Sequence, residues 1–151
     1  MAVTGAVTNK GKRRFIAWLQ GVSLPTNLYM ALCTSAVAPT VDTNTFSELT
    51  EIATGNGYTA GGFSLSKNST DFDVLTEDDT ANTAYIEMKD ITWTASGGTL
   101  PSSGAARYAI LTDDNGTQGS REVLAYWDFG GDLVASSGNP FTLQGFRITA
   151  S

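Results

Sequence analysis

Fifteen carboxylates, one thiol and no imidazole set the chemical reach of this 151-residue chain. Without histidine there is no imidazole base, so Ser-His-Asp and Cys-His arrangements are excluded. Zinc would need several thiolates or imidazoles, and Cys33 is the sole thiol. Cys33 lies in an alternating apolar run and reads as a small buried hydrophobe rather than a nucleophile. Neither GxGxxG nor GxxxxGK[ST] occurs. Asp71, Asp73, Glu77, Asp78 and Asp79 put five acids in nine residues. Two acids across a cleft could hydrolyse a glycoside, but these sit close together beside a strand and read as a solvated rim. The oxygen-rich stretches Glu77–Asp79 and Asp113–Gly116 resemble hard-cation loops. Neither has EF-hand spacing, and hairpin turns account for both. The expectation is a protein with no catalytic set, no metal and no cofactor.

Aromatic residues offer a different chemistry, the stacking of sugars. Trp93, Trp127, Tyr58, Tyr85 and Tyr126 are the residues for such a platform. Strand parity places Trp93 and Trp127 on core-like faces, which favours packing. Tyr85 and Tyr126 have the outward parity and are the candidates for a partner surface.

Charge is uneven along the chain. Lys10, Lys12, Arg13 and Arg14 fall within five positions, leaving five basic against fifteen acidic residues elsewhere. An acidic body disfavours nucleic-acid binding, which needs several cations aimed at phosphates. It suits solubility and complementarity to a basic surface. No apolar run approaches the ~20 residues of a membrane span. The N-terminus runs from mildly apolar to basic, the reverse of a secretory signal. A lone cysteine adds no disulfide framework, so the chain is expected to fold in a cytoplasm.

The elements that must position these residues are mostly strands. Residues 1–11 read as a flexible arm, ahead of a single β domain over 12–151. Phe15, Trp18, Leu19 and Val22 recur at i, i+3, i+4 and i+7 and predict an amphipathic helix over 12–22. Gly21 and Pro25 stop it, and Lys12, Arg13 and Gln20 lie on its other face. Deletion of residues 2–14 is expected to leave the β fold intact. Thr45 and Glu48 have capping-box spacing for a turn over Thr45–Ile52. Alternation marks strands around Leu28–Cys33, Phe63–Leu65, Phe72–Val74, Arg107–Leu111 and Val123–Phe129. Ala84, Ile86 and Met88 share one parity, and Ile91 and Trp93 take the other, which predicts a bulge or turn at Lys89–Asp90. Phe141 and Leu143 give way to Phe146 and Ile148 in the same manner, predicting a bulge at Gly145. About eight short strands between Gly, Ser, Asn and Asp turns predict an antiparallel β-sandwich or barrel with one short N-terminal helix.

Several separated segments resemble, in the same order, a family of small structural proteins of tailed bacteriophages. They are NLYMALCTSAVAPT at Asn27–Thr40, SELTE at Ser47–Glu51, NGY at Asn56–Tyr58 and ITWTASGG at Ile91–Gly98. ARYAILTDD at Ala106–Asp114, VLAYWDFGG at Val123–Gly131 and PFTLQGFRI at Pro140–Ile148 complete the set. These motifs mark a strand order and its turns rather than a reaction. The resemblance implies a compact β-sandwich acting as a repeated, non-enzymatic virion subunit at the capsid surface. A decoration (cement) protein of this size would bridge capsomers, with the major capsid protein as partner and a homo-oligomer, trimeric by preference, as its form. A tail or head-fibre component, binding host surface glycan through Tyr85, Tyr126 or a tryptophan, is the alternative. Lys12, Arg13, Arg14, Phe15 and Trp18 are the residues expected to make the capsid or inter-subunit contact.

Overall fold

The computed structural model describes residues 4–150. Its ten strands are β1 (Thr4–Val7), β2 (Asn27–Cys33), β3 (Phe63–Ser66), β4 (Phe72–Asp78), β5 (Thr83–Met88), β6 (Ile91–Thr94), β7 (Ala106–Thr112), β8 (Val123–Leu133), β9 (Pro140–Leu143) and β10 (Arg147–Ala150). One helix, α1 (Asn9–Leu19), follows β1. The fold is mainly β, with antiparallel sheets and a single short helix near the N-terminus, as the alternation predicts. Among the described residues no helix is long and apolar enough to cross a membrane.

The strands form a five-stranded sheet ordered β1-β8-β7-β2-β3, a three-stranded sheet β10-β5-β4 and a ribbon β6-β9. The five-stranded sheet is covered on both faces. On one lie Met30, Leu32, Ala109, Leu111, Ala125, Trp127 and Phe129, packed with Met88, Ile91, Trp93 and Phe141 of the other sheets and with Phe146 of the turn between β9 and β10. On the other lie Cys33, Tyr108, Ile110 and Val123, capped by Phe46 and Leu49. Trp93 and Trp127 are therefore core residues, 7% and 5% exposed, and neither presents a face to a sugar. Cys33 is fully buried, and burial pushes its thiol pKa well above the ordinary range.

The covering loop is tied down by polar contacts. Glu48 accepts a hydrogen bond from the Thr45 amide at 2.8 Å, closing the expected capping box on a short 3₁₀ turn, Phe46–Glu48. Glu51 accepts from the Tyr58 hydroxyl at 2.7 Å and the Gly61 amide at 2.6 Å, and also from Gln118. The Tyr58 hydroxyl in turn accepts from the Leu32 amide at 3.1 Å. Arg121 lies over the Tyr29 ring at 3.7 Å and donates to the Gly61 carbonyl at 3.0 Å. The NGY segment is thus a structural pin.

Both predicted parity flips occur, but neither is a bulge. Leu143 lies opposite Ile91 and Arg147 opposite Glu87, so each strand advances four residues across the break and the register is unchanged. The Met88 amide donates to the Phe146 carbonyl at 2.8 Å, and Gly145 turns the chain at φ 65°. Two strands that break at the same level keep their pairing while both change inward faces, so no extra residue is needed. The register shifts lie elsewhere, between Phe72 and Val74, Ala106 and Tyr108, and Leu111 and Thr112.

The expectations for the N-terminus are corrected in two respects. Residues 4–7 of the expected arm are β1, with Gly5 opposite Trp127 and Val7 opposite Ala125; residues 1–3 lie outside the described residues. The helix runs over Asn9–Leu19 rather than 12–22 because Thr8 caps it, its side chain accepting from the Gly11 amide at 2.9 Å. With that start the inward face is Gly11, Phe15 and Trp18, while Leu19 is 89% exposed and Val22 falls beyond the helix. Pairing and capping make residues 4–19 part of the fold, so they are not a removable arm.

Candidate functional site

The helix that carries the basic cluster is fixed to the body at both ends. Thr8 donates from its amide to the Leu124 carbonyl at 3.0 Å and from its hydroxyl to the Val123 carbonyl at 2.5 Å. Gly11 then lies against β8, where a Cβ would stand 2.1 Å from the Leu124 carbonyl oxygen. The Phe15 and Trp18 rings, 5.1 Å apart, pack on the edge of the core. Arg14 bonds to Glu122, which also faces Lys10 at 3.6 Å. What remains toward solvent is Lys12, Arg13, Ile16 and Leu19. Among the described residues neither Lys12 nor Arg13 has an acidic partner within ion-pair distance.

Opposite α1 stands the three-stranded sheet, whose two faces differ in chemistry because its side chains alternate. Leu75, Ile86 and Ile148 pair in a row across β4, β5 and β10, with Glu77, Ala84 and Ala150 as the next row of the same parity. The opposite parity carries Tyr85, Glu87 and Arg147. Arg147 holds Glu87 at 2.9 Å and covers the Tyr85 ring at 4.3 Å. Beyond the apolar row, the hairpin joining β4 to β5 is acidic, with Asp78 accepting from the Thr80 and Ala81 amides at 3.0 Å each.

Between helix and sheet runs an open groove of about 570 Å³ lined by Lys12, Phe15, Ile16, Leu75, Ile86 and Ile148. Leu75 is 79% exposed and Ile16 61%. Exposed apolar side chains gathered in one place, with charged residues at the margin, mark an interaction surface. This is where the fold brings chemistry-bearing residues together.

The residues expected from the sequence distribute unevenly over it. Lys12 and Phe15 line the groove, and Tyr85 touches its edge. Arg13 is exposed on the helix nearby. Arg14 is engaged by Glu122, and Trp18 lines a separate cleft with Leu24, Pro25 and Asp114. Tyr126 packs against the cluster beneath the loop, on the far face of the five-stranded sheet. Leu75, Ile16 and Ile148 were not foreseen. The signal for Leu75 was the adjacent pair Val74–Leu75 in an otherwise polar strand, which no single-face alternation can bury.

The acidic segments have local duties. Asp71 accepts from the Ser66 amide at 2.6 Å, and Asp114 accepts from the Thr26 and Asn27 amides at 2.7 and 3.0 Å. Asp113 accepts from the Asn115 and Glu122 amides at 3.2 and 2.8 Å. Among the described residues no three of His, Cys, Asp and Glu converge as metal ligands would. Asp113 is buried, and desolvation raises its pKa above the ordinary carboxylate value. The Arg107 fork, at 2.6 and 3.3 Å, lowers that of Asp128.

These two shifts oppose each other in stability. A raised folded pKa means the folded state binds more protons than the unfolded one, so Asp113 costs stability as pH rises from about 3.9 through its folded value. Asp128 contributes stability above the unfolded pKa that is lost as pH falls. Asp113→Asn keeps the acceptor oxygen and removes the charge. Its urea midpoint should exceed that of the wild type at pH 7, with the gap closing toward pH 4. A gap that stays constant with pH would show that Asp113 does not titrate differently on folding.

No family model, curated protein or solved structure matches this chain.

Proposed function

We propose that this protein is a non-enzymatic assembly subunit, specifically a capsid decoration protein of a tailed phage that coats the mature head and bridges its capsomers. The observation that carries the assembly role is the groove between α1 and the β10-β5-β4 sheet, with Leu75 and Ile16 exposed on a tightly tied β body. The phage assignment rests on the ordered motifs from Asn27 to Ile148 described above. The bonds that Asp71, Asp78, Asp113 and Asp114 make to loop backbone, and the burial of Trp93 and Trp127, support a structural role for these residues.

The deciding measurement is the copy number of this chain in purified particles, by quantitative mass spectrometry against the major capsid protein. About one copy per capsid subunit is expected. A few copies to a few tens would instead make it a tail or head-fibre component, and absence from particles would overturn the virion role altogether. Deletion of residues 2–14 is a poor probe of capsid binding, because it removes β1 and the cap that seats α1. Lys12→Glu with Arg13→Glu tests the expected inter-subunit contact of that helix face while leaving the fold's contacts in place.

A further inference from the structure

Charge differs across the groove: the helix side is basic, the row between is apolar, and the outer strand β4 carries acids next to that row. On the helix side stand Lys12 and Arg13, both exposed. Ile16, Leu75, Ile86 and Ile148 make the floor. On the sheet side Glu77, of the same parity as Leu75, leads to Asp78 and Asp79 at the hairpin. None of these three acids has a basic partner within ion-pair distance among the described residues.

We propose that this face binds a second copy of the chain about a two-fold axis running along the groove. Such an axis reverses the order of the walls, so the basic helix of each copy meets the acidic hairpin of the other. The two apolar floors close on one another, and every contact is made twice, as an isologous interface requires. Charge complementarity selects the partner as well as the orientation, because like-charged walls brought together repel.

Another way to join two copies, edge to edge through β4, is disfavoured by sequence. Antiparallel pairing of two β4 strands about Leu75 would set Asp73 opposite Glu77 on both sides, and directly opposed like charges destabilise a ladder. An acidic edge beside an apolar face steers association onto the face. This inference names the partner of the surface on which the proposed assembly role rests, and it leaves other faces of the body for the capsid.

Sedimentation equilibrium of the full chain over a concentration series tests it. The expected result is a monomer–dimer equilibrium that weakens with salt. Leu75→Glu, at a side chain already 79% exposed, should weaken dimerisation about tenfold or more and leave the unfolding midpoint unchanged at concentrations low enough for both chains to be monomeric. Lys12→Glu with Arg13→Glu should weaken it comparably, and adding Glu77→Lys and Asp79→Lys to that same chain should restore it, since both walls are then exchanged. A chain that stays monomeric, a trimer, a dimer indifferent to Leu75→Glu, or failure of the exchanged walls to restore association would each overturn the proposal. Particle copy number is read independently: normal abundance of the Leu75→Glu chain in particles would leave the virion role standing whatever the dimer does.

Discussion

Trp127→Ala is expected to lower stability by about 3–5 kcal/mol, the usual cost of truncating a buried aromatic to alanine. Trp127 occupies the middle of β8, with Gly5 opposite it on β1 and Ala109 opposite it on β7. Its ring stacks on Phe146 at 5.0 Å and 20°, and Phe146 in turn meets Phe129 at 6.4 Å. The indole therefore joins the five-stranded sheet to the turn that leads into β10. Small partners on both sides cannot expand to fill the space, so a cavity remains. Against a typical domain stability of about 5–15 kcal/mol this is a large fraction. Urea denaturation should show a lower midpoint at unchanged slope; a shift worth less than about 1 kcal/mol would mean the site collapses and the indole is not the link between sheet and turn.

The second large effect is Gly11→Ala. Helix propensity alone predicts stabilisation of about 1 kcal/mol, since glycine is a poor helix former. The added Cβ, however, would stand 2.1 Å from the Leu124 carbonyl oxygen and 2.9 Å from its carbon. That neighbour is backbone of a central strand, which cannot swing aside, so the helix must lift. Lifting it strains the Thr8 bonds to Val123 and Leu124 and draws Phe15 and Trp18 off the core. Overpacking of this kind costs about 1–3 kcal/mol or more, and against backbone it falls at the upper end, so after the propensity gain of about 1 kcal/mol a net destabilisation of about 1–2 kcal/mol is expected. Hydrogen exchange would register it first in α1. Stabilisation at the propensity value would show that α1 is not seated as described.

Both effects turn on features the sequence discloses to different degrees. Ala125, Trp127 and Phe129 alternate cleanly and share one buried face, because a period of two has one reading once a sheet is assumed; Val123, of the same parity, is buried on the opposite face, because the ladder shifts register between Leu111 and Thr112. The parity flips at Lys89–Asp90 and Gly145 were equally legible, but each alone looks like a bulge. Only the pairing of β5 with β10 and β6 with β9 reveals that they cancel. The helix register was misread because Gly11 has no side chain to enter an apolar count, although it makes the closest approach to the sheet. Residues 4–7, small and weakly apolar, looked like an arm because a four-residue edge strand owes its existence to a partner distant in sequence. The groove was half legible. Lys12 and Phe15 came from the helix pattern, whereas Leu75 and Ile148 enter only through the cross-strand row with Ile86. Tyr126 had the outward parity, but the loop capped by Phe46 and Leu49 covers that side, and alternation cannot say which face of a sheet a loop will cover.

The matched break between β5–β6 and β9–β10 has a consequence for chain length. Because the two strands yield at one level and by the same number of residues, inserting one residue into either would rotate everything beyond it by half a period. Ile148 or Ile86 would then leave the groove for the Tyr85 face. Equal insertions of two residues in both strands would instead lengthen the flap without turning it over. The crease thus behaves like a telescopic joint whose two rails must be cut to the same length, and the reach of the groove's sheet wall is adjustable only in paired steps.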